Sequence, residues 1–344
     1  MSSLGWLTQP AVFPWTALIV GLCVGSFLNV VIHRLPKMLE RAWRAECAEL
    51  SGQPAPEATA YGLVTPRSAC PSCGHRLRAW ENVPIASWLL LRGKCSACKR
   101  RISVKYPLVE ALAAVGAVYA ASRFGPTAMA VGAALFVWFT IALAFIDQET
   151  GLLPDDLTLP LVWVGLLLNL IGGFVPLADA VIGAAAGYLS LWLVYQGYKL
   201  LTGKEGMGYG DFKMSAAVGA FLGWKMLPLV ILLSSFVGLI FGALQMFAAR
   251  GKWDAGFRFH FGPYIAIAAL VALFWGEPIV RWYLDRYPDV AQAAARGAQP
   301  APTLRRVWVR RGPRDPACHC GSRPGEVGVQ CAGTAASFAF VGRS

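Results

Sequence analysis

Long apolar runs alternate with short polar stretches along most of this chain. Residues 11–32 carry no formal charge and lead into His33-Arg34, which opens a polar segment lasting to Lys105. Further apolar runs cover 106–122, 126–146, 157–175 and 180–198, and the 36 residues 214–249 contain one charge, Lys225. A last run covers 261–275 and extends toward 280. A helix rising about 1.5 Å per residue must cross about 30 Å of hydrocarbon, so each run predicts one membrane helix. The 214–249 stretch is too long for one span and predicts two short helices that turn near 223–228. The predicted fold class is therefore all-α: a polytopic membrane bundle of about eight transmembrane helices, with a small cytoplasmic domain between spans one and two. Composition agrees, since 15% of residues are charged against about a quarter in soluble domains.

The net charge of +12 suggests nucleic acid at first sight, but its placement points to the bilayer instead. Thirteen Lys and Arg lie between residues 34 and 105, against five Glu. The positive-inside rule puts that segment in the cytoplasm and the N-terminus outside. The same count of crossings puts 147–156, 199–213 and 250–260 on the cytoplasmic side. The last two carry Lys199, Lys204, Lys213, Arg250, Lys252 and Arg258, as that assignment requires. Residues 1–10 hold no Lys or Arg, and the run after them is too long for a signal-peptide core, so it reads as a permanent span. The expected organisation is a first span in 1–33, a cytoplasmic domain in 34–105, a membrane domain in 106–285 and a tail in 286–344. The tail is rich in Ala, Gly, Pro and Arg without helical period and reads as disordered, with Cys318-His319-Cys320 a weak metal signal.

Four of the nine cysteines form two C-x-x-C knuckles, Cys70-Pro-Ser-Cys73 and Cys95-Ser-Ala-Cys98, separated by 21 residues. Each knuckle aims two thiolates at one ion, and two knuckles close a tetrahedral site with no open position. Structural zinc is the expected cofactor, and about seventy polar residues need such a staple to fold. Four free thiols or a redox pair are the alternative. Gly74 and Lys99, each following a knuckle, suit the turn.

Among the acids, Asp147 ends the third span and Asp211 opens the sixth, so both lie at one face of the membrane. Two carboxylates brought close share a proton, and one then activates water while the other polarises a carbonyl. Three glycines, at 206, 208 and 210, let the chain before Asp211 turn sharply and admit another chain closely. Equally, Asp211 can cap a helix and Asp147 mark a span end. Glu149, Asp155 and Asp156 compete in the same loop, Glu110 is the most intramembrane charge, and Asp179 falls on the outer side. Glu110 is expected either to pair with Lys or Arg across the bundle or to line a water path. Arg34 is expected to snorkel at the interface and Asn29 to bond a neighbouring helix, the alternative for His33, Arg34 and Asn29 being to orient substrate or support the cytoplasmic domain.

Several stretches in order resemble one family. They are Gly25-Ser-Phe-Leu-Asn29 through His33-Arg34-Leu-Pro36, the paired knuckles, Ile102-Ser-Val-Lys-Tyr106-Pro107 through Glu110, Ile146-Asp147, Leu153-Pro154-Asp155, and Gly208-Tyr-Gly210-Asp211-Phe212-Lys213. Over residues 11–285 the chain resembles the bacterial prepilin peptidases, the type IV leader peptidases, which belong with the presenilin-like G-x-G-D aspartic proteases. The resemblance implies catalytic aspartates at Asp147 and Asp211. It also implies cleavage of the basic leader of prepilins and pseudopilins at the cytoplasmic face of the inner membrane, then N-methylation with S-adenosylmethionine. Gly93 matches a glycine tied to the methyl transfer. Two other classes stay open: a transporter or channel using the membrane carboxylates, and a cysteine-dependent peptidase.

Overall fold

In the computed structural model, the residues described are 9, 11–52, 61–70, 72–248 and 260–286. The expected tail, with Cys318-His319-Cys320, and most of the 250–260 loop lie outside them. Every extended element among the described residues is a helix: α1 (Phe13–Leu50), α2 (Ala86–Leu90), α3 (Lys105–Phe124), α4 (Ala128–Thr150), α5 (Asp155–Leu170), α6 (Leu177–Thr202), α7 (Tyr209–Leu222), α8 (Leu227–Ala248) and α9 (Gly262–Arg286). The chain divides into two units, Met1–Pro278 and Ile279–Ser344. The helix bundle and the cysteine knuckles belong to the first.

Apart from the short α2, each helix stands where an apolar run predicts one. The boundaries follow from local chemistry. Thr127 accepts the Ala130 N–H on its side chain and so caps α4. Gly151 ends α4 in the left-handed conformation, at φ 68°, with its N–H on the carbonyl of Asp147. The 214–249 stretch breaks at 223–226, within the expected turn, and yields α7 and α8.

Helix lengths depart from a uniform set of spans. Six helices are long and apolar enough to cross a membrane. The other two, α5 with 16 residues and α7 with 14, reach about 24 Å and 21 Å at 1.5 Å per residue. The length of α7 is not set by lipid, because nearly all its residues from Asp211 to Leu222 are buried among other helices. At the other extreme, α1 runs 38 residues without a break, about 57 Å. Its second half continues past His33 as helix, where the sequence suggests only a polar segment.

Two seams of small residues hold the bundle together. In the first, Gly21 and Gly25 of α1 lie directly on α3; a Cβ on either would stand 2.7 Å from the Cα of Ala114 or Glu110. In the second, Gly183 and Gly187 of α6 meet the backbone of Gly219 and Ser215 of α7. Apolar side chains gain little by leaving lipid for protein, so such close backbone approach carries much of the association energy in membranes. Helix α7 packs between α5 and α6, and α4 joins α5 to the α1–α3 pair. Phe136 of α4 meets Phe221 of α7 at 4.7 Å between fully buried rings.

This packing makes a paired prediction. Gly219→Ala would drive a Cβ into the Gly183 carbonyl and is expected to cost about 1–3 kcal/mol. Gly197→Ala, in α6 with open space around it, is expected to gain up to about 1 kcal/mol. Thermal unfolding of both variants in one detergent checks the contrast; equal midpoints would contradict the seam.

Candidate active site and metal centre

Four acids are buried among the described residues: Glu81, Glu110, Asp147 and Asp211. Two of the three acids that compete with Asp147 in its own loop, Glu149 and Asp155, are satisfied by cations. Glu149 pairs with Lys105, and Asp155 pairs with Lys213 through both oxygens at 2.6 and 2.7 Å. Asp179, at the other end of the bundle, pairs with Lys225 and accepts from the Trp224 indole.

Asp147 and Asp211 have no such lysine among the described residues, and each lies in the other's field. Asp147 sits in the last turn of α4, 6% exposed. Its Oδ2 accepts the backbone N–H of Gly262 at 3.0 Å. Gly262 is the first residue of α9, so the positive end of that helix is aimed at the carboxylate. A Cβ on Gly262 would stand 2.6 Å from Asp147 Oδ2, which leaves glycine as the residue that fits. His260, just before, is close enough for its charge to act on Asp147, and its ring lies beside Gly151.

Asp211 occupies the first turn of α7, 7% exposed, and its Oδ1 is buried without a hydrogen-bond partner. An orphaned buried oxygen is costly and marks a place where a proton, water or substrate group belongs. The glycines place it. Gly210 lies against Leu153, whose Cβ would be 2.5 Å from a Cβ at 210. The start of α7 thereby reaches the loop that follows Asp147. The sequence motif around Asp211 and the one around Asp147 thus touch through Gly210 and Leu153. Sequence reasoning misses Gly262 and His260; a Gly-Pro pair opening the last apolar run is the one signal that points to them.

The four knuckle cysteines also converge. Their sulfurs all lie within 4.8 Å of one another, with Cys70–Cys98 at 3.8 Å and Cys73–Cys95 at 4.0 Å. A tetrahedron with metal–sulfur bonds of about 2.3 Å has edges of about 3.8 Å, so the donor set fits a four-thiolate ion. The knuckles are near copies. Cys70 N–H bonds His75 O and Cys95 N–H bonds Arg100 O, while Gly74 and Lys99 occupy the same left-handed position at φ 69° and 56°. Backbone N–H groups of Ser72 and Cys73 draw the Cys70 thiol down to about 6, ready to act as a thiolate. Glu81 links the two knuckles from beneath, touching His75 after the first and Ser96 within the second. The Arg78 N–H, then Ser96 and His75, hold its carboxyl at about 2.

Comparison with known proteins bears on both sites. Residues 19–124 match the bacterial peptidase A24 N-terminal domain, and residues 134–243 match the type IV leader peptidase family. A prepilin leader peptidase/N-methyltransferase of Aeromonas salmonicida is 54% identical over 285 residues, covering 82% of this chain and 96% of that protein. The chain belongs to the type IV leader peptidase family. A second member bearing the same name, from Pseudomonas aeruginosa, is 51% identical over 279 residues, or 81% of this chain and 96% of its own. One from Burkholderia pseudomallei is 48% identical over 265 residues, or 76% and 85%. No solved structure matches significantly. In family terms, the N-terminal match contains the cysteine tetrad, and the leader peptidase match contains both aspartates; Gly262 lies beyond it.

Four residues of the N-terminal domain differ from their sequence reading or sharpen it. Arg34 does not snorkel. It is buried and donates to the carbonyls of Gly62, Leu63 and Pro66, because a helix end beside a folded loop offers it acceptors that water would otherwise supply. Glu110 takes a backbone partner where Lys or Arg is expected; it accepts the Ile85 N–H at 2.7 Å, with the Ser26 and Asn29 side chains against it. Asn29 donates to the Tyr106 carbonyl of α3. Gly93 has φ 64° and lies under the indole of Trp88, with 2.8 Å to a would-be Cβ.

Both centres are open to measurement. Gly262→Ala displaces the Asp147 carboxylate by a large fraction of an ångström and is expected to lower turnover about a hundredfold while the protein still folds. Measured kcat near that of the parent would remove Gly262 from the site. Glu81→Ala is expected to weaken metal retention about 10–100-fold, read by competition with a chromogenic chelator. Its carboxyl titrates at about 2, below the usual value near 4.3. The stability it contributes is present above pH 4.3 and lost as pH falls through 2. Metal release between pH 7 and 5 should therefore be equal in slope for parent and Glu81→Ala.

Proposed function

We infer that this protein is an intramembrane aspartic endopeptidase that removes the basic leader of prepilins and pseudopilins and then N-methylates the exposed residue. The observation that carries the reading is a pair of buried carboxylates near enough for the charge of Asp147 to act on Asp211, the first held by the Gly262 N–H and the second with an orphaned oxygen. Asp147 already accepts a backbone donor at a helix start, so it is suited to stay charged and take the proton from water. Asp211 is suited to hold the shared proton and give it to the scissile carbonyl oxygen. Water then adds to the carbonyl carbon. The proton on Asp147 passes to the leaving nitrogen as the C–N bond breaks, while a hydroxyl of the diol returns its proton to Asp211 and becomes the new carbonyl.

The substrate chemistry agrees with the site's place. A pilin-like helix lies in the bilayer with its basic leader in the cytoplasm, so its scissile bond falls at the depth of a carboxylate pair at the cytoplasmic end of the bundle. Loop charge supports a cytoplasmic face, and a multi-pass protein with this polarity belongs in the inner membrane. A shielded helical peptide bond must unwind to react, and the glycine-rich loop 206–210 can accept an extended segment.

The division of labour we assign is metal and methyl transfer to 34–105 and peptidase chemistry to 106–285. Zinc fits the four thiols and would be structural, since four protein ligands leave no position for substrate. The methyl group comes from S-adenosylmethionine. Gly93 contributes through shape, since the Trp88 indole covers it; a side chain there would reshape the 88–102 loop.

The test is cleavage of a purified prepilin in liposomes, with mass spectrometry of the new N-terminus to report cut position and methylation together. Asp147→Asn and Asp211→Asn are each expected to reduce cleavage by about a thousandfold or more while the protein inserts and retains metal. Substantial cleavage by either single variant would falsify the aspartic mechanism.

A further inference from the structure

The hydrogen bond between Glu110 and Ile85 fixes the depth of the cysteine-knuckle module. Glu110 lies against Gly25, and Asn29 touches its side chain. Gly25 and Asn29 stand seven and three residues before Ile32, where the apolar run of α1 ends. At about 1.5 Å per residue, those positions are roughly 5–10 Å inside the end of that run. Ile85 immediately precedes α2, so its bond at 2.7 Å pins the head of α2 below the level at which α1 leaves the hydrocarbon. The backbone at Ile85 has a positive φ of 57° in a tight turn closed by the Ala86 N–H on the Pro84 carbonyl.

The surface that α2 then presents is apolar. Leu89 and Leu90 are 61% and 77% exposed, and Trp80 and Val83, just before the helix, are about half exposed. Nearby in the chain stand Lys94, Lys99, Arg100 and Arg101, all exposed and unpaired with any acid among the described residues. Exposed apolar side chains beside a backbone anchored at that level, with exposed cations close by in the chain, are the arrangement of a segment that lies in a membrane interface.

We propose that the cysteine-knuckle module is a lipid-binding element, with α2 wedging Leu89 and Leu90 into the adjoining leaflet and the basic residues meeting anionic phospholipid headgroups. The proposal needs the bundle to sit in a bilayer but does not rest on the peptidase reading. Its partner is the lipid surface, not the substrate helix and not a second copy of the chain.

The experiment uses the full chain carrying a photoreactive benzoylphenylalanine at position 90, or at exposed position 97 in the second knuckle, in liposomes of phosphatidylethanolamine and phosphatidylglycerol. Irradiation and mass spectrometry are expected to give phospholipid adducts at 90 in about tenfold or greater excess over 97, unchanged by added prepilin. Equal yields at the two positions, or adducts at 90 to prepilin or to a second chain in place of lipid, overturn it. In a second arm the probe sits at 83, with and without Leu89→Glu plus Leu90→Glu. Metal content per chain confirms that the module is folded. The lipid adduct is expected to fall about fivefold or more on the double change; an unchanged yield overturns the wedge.

Discussion

A carboxylate that cannot reach water must find its hydrogen bonds in the protein, and that constraint organises the aspartate end of this molecule. The amide of Gly262 meets the need for Asp147, which fixes where α9 begins and requires a residue without a side chain there. Asp211 is left with an orphaned oxygen beside the first carboxylate. The pair is reached through the contact of Gly210 with Leu153, so the glycines act by closeness of approach as much as by freedom of turn. The neighbouring Glu149 and Asp155 carry no comparable burden because lysines neutralise them.

Within the N-terminal family domain, polar contacts join the cysteine-knuckle segment to α1 and α3. Arg34 grips three carbonyls of the loop ahead of the first knuckle, and Glu110 takes the amide that leads into α2. Both depend on the glycine seam between α1 and α3, which sets the distance over which these side chains work. The metal module is therefore attached at two levels along one helix pair, and the unbroken α1 carries the attachment from the bilayer to residue 50.

Much of this is legible in the sequence. Hydrophobic period and length put eight helices in the right places, because in lipid a backbone has little choice but to be helical. The knuckles are legible because ligand spacing is local, down to Gly74 and Lys99 sharing a backbone conformation. The aspartates are legible as candidates through the motifs around them. The short length of α7 is not, since a helix sheltered by other helices escapes the thickness rule. The role of Gly262 is not, because its partner lies 115 residues away. Arg34 misleads because an interfacial arginine and one that grips a loop have the same local sequence.

The far end of the bundle is fastened independently of the carboxylates. Asp179 at the head of α6 holds both Lys225 and the Trp224 indole, and buried Asn169 at the foot of α5 holds the carbonyls of Ala220 and Phe221. With that end clasped and the Gly183–Gly219 crossing above it, α5, α6 and α7 can splay only as fingers of one hand do, apart at the tips and together at the base. A guest helix would then enter sideways from the lipid at the aspartate end, and no conduit would have to open through the whole thickness of the membrane.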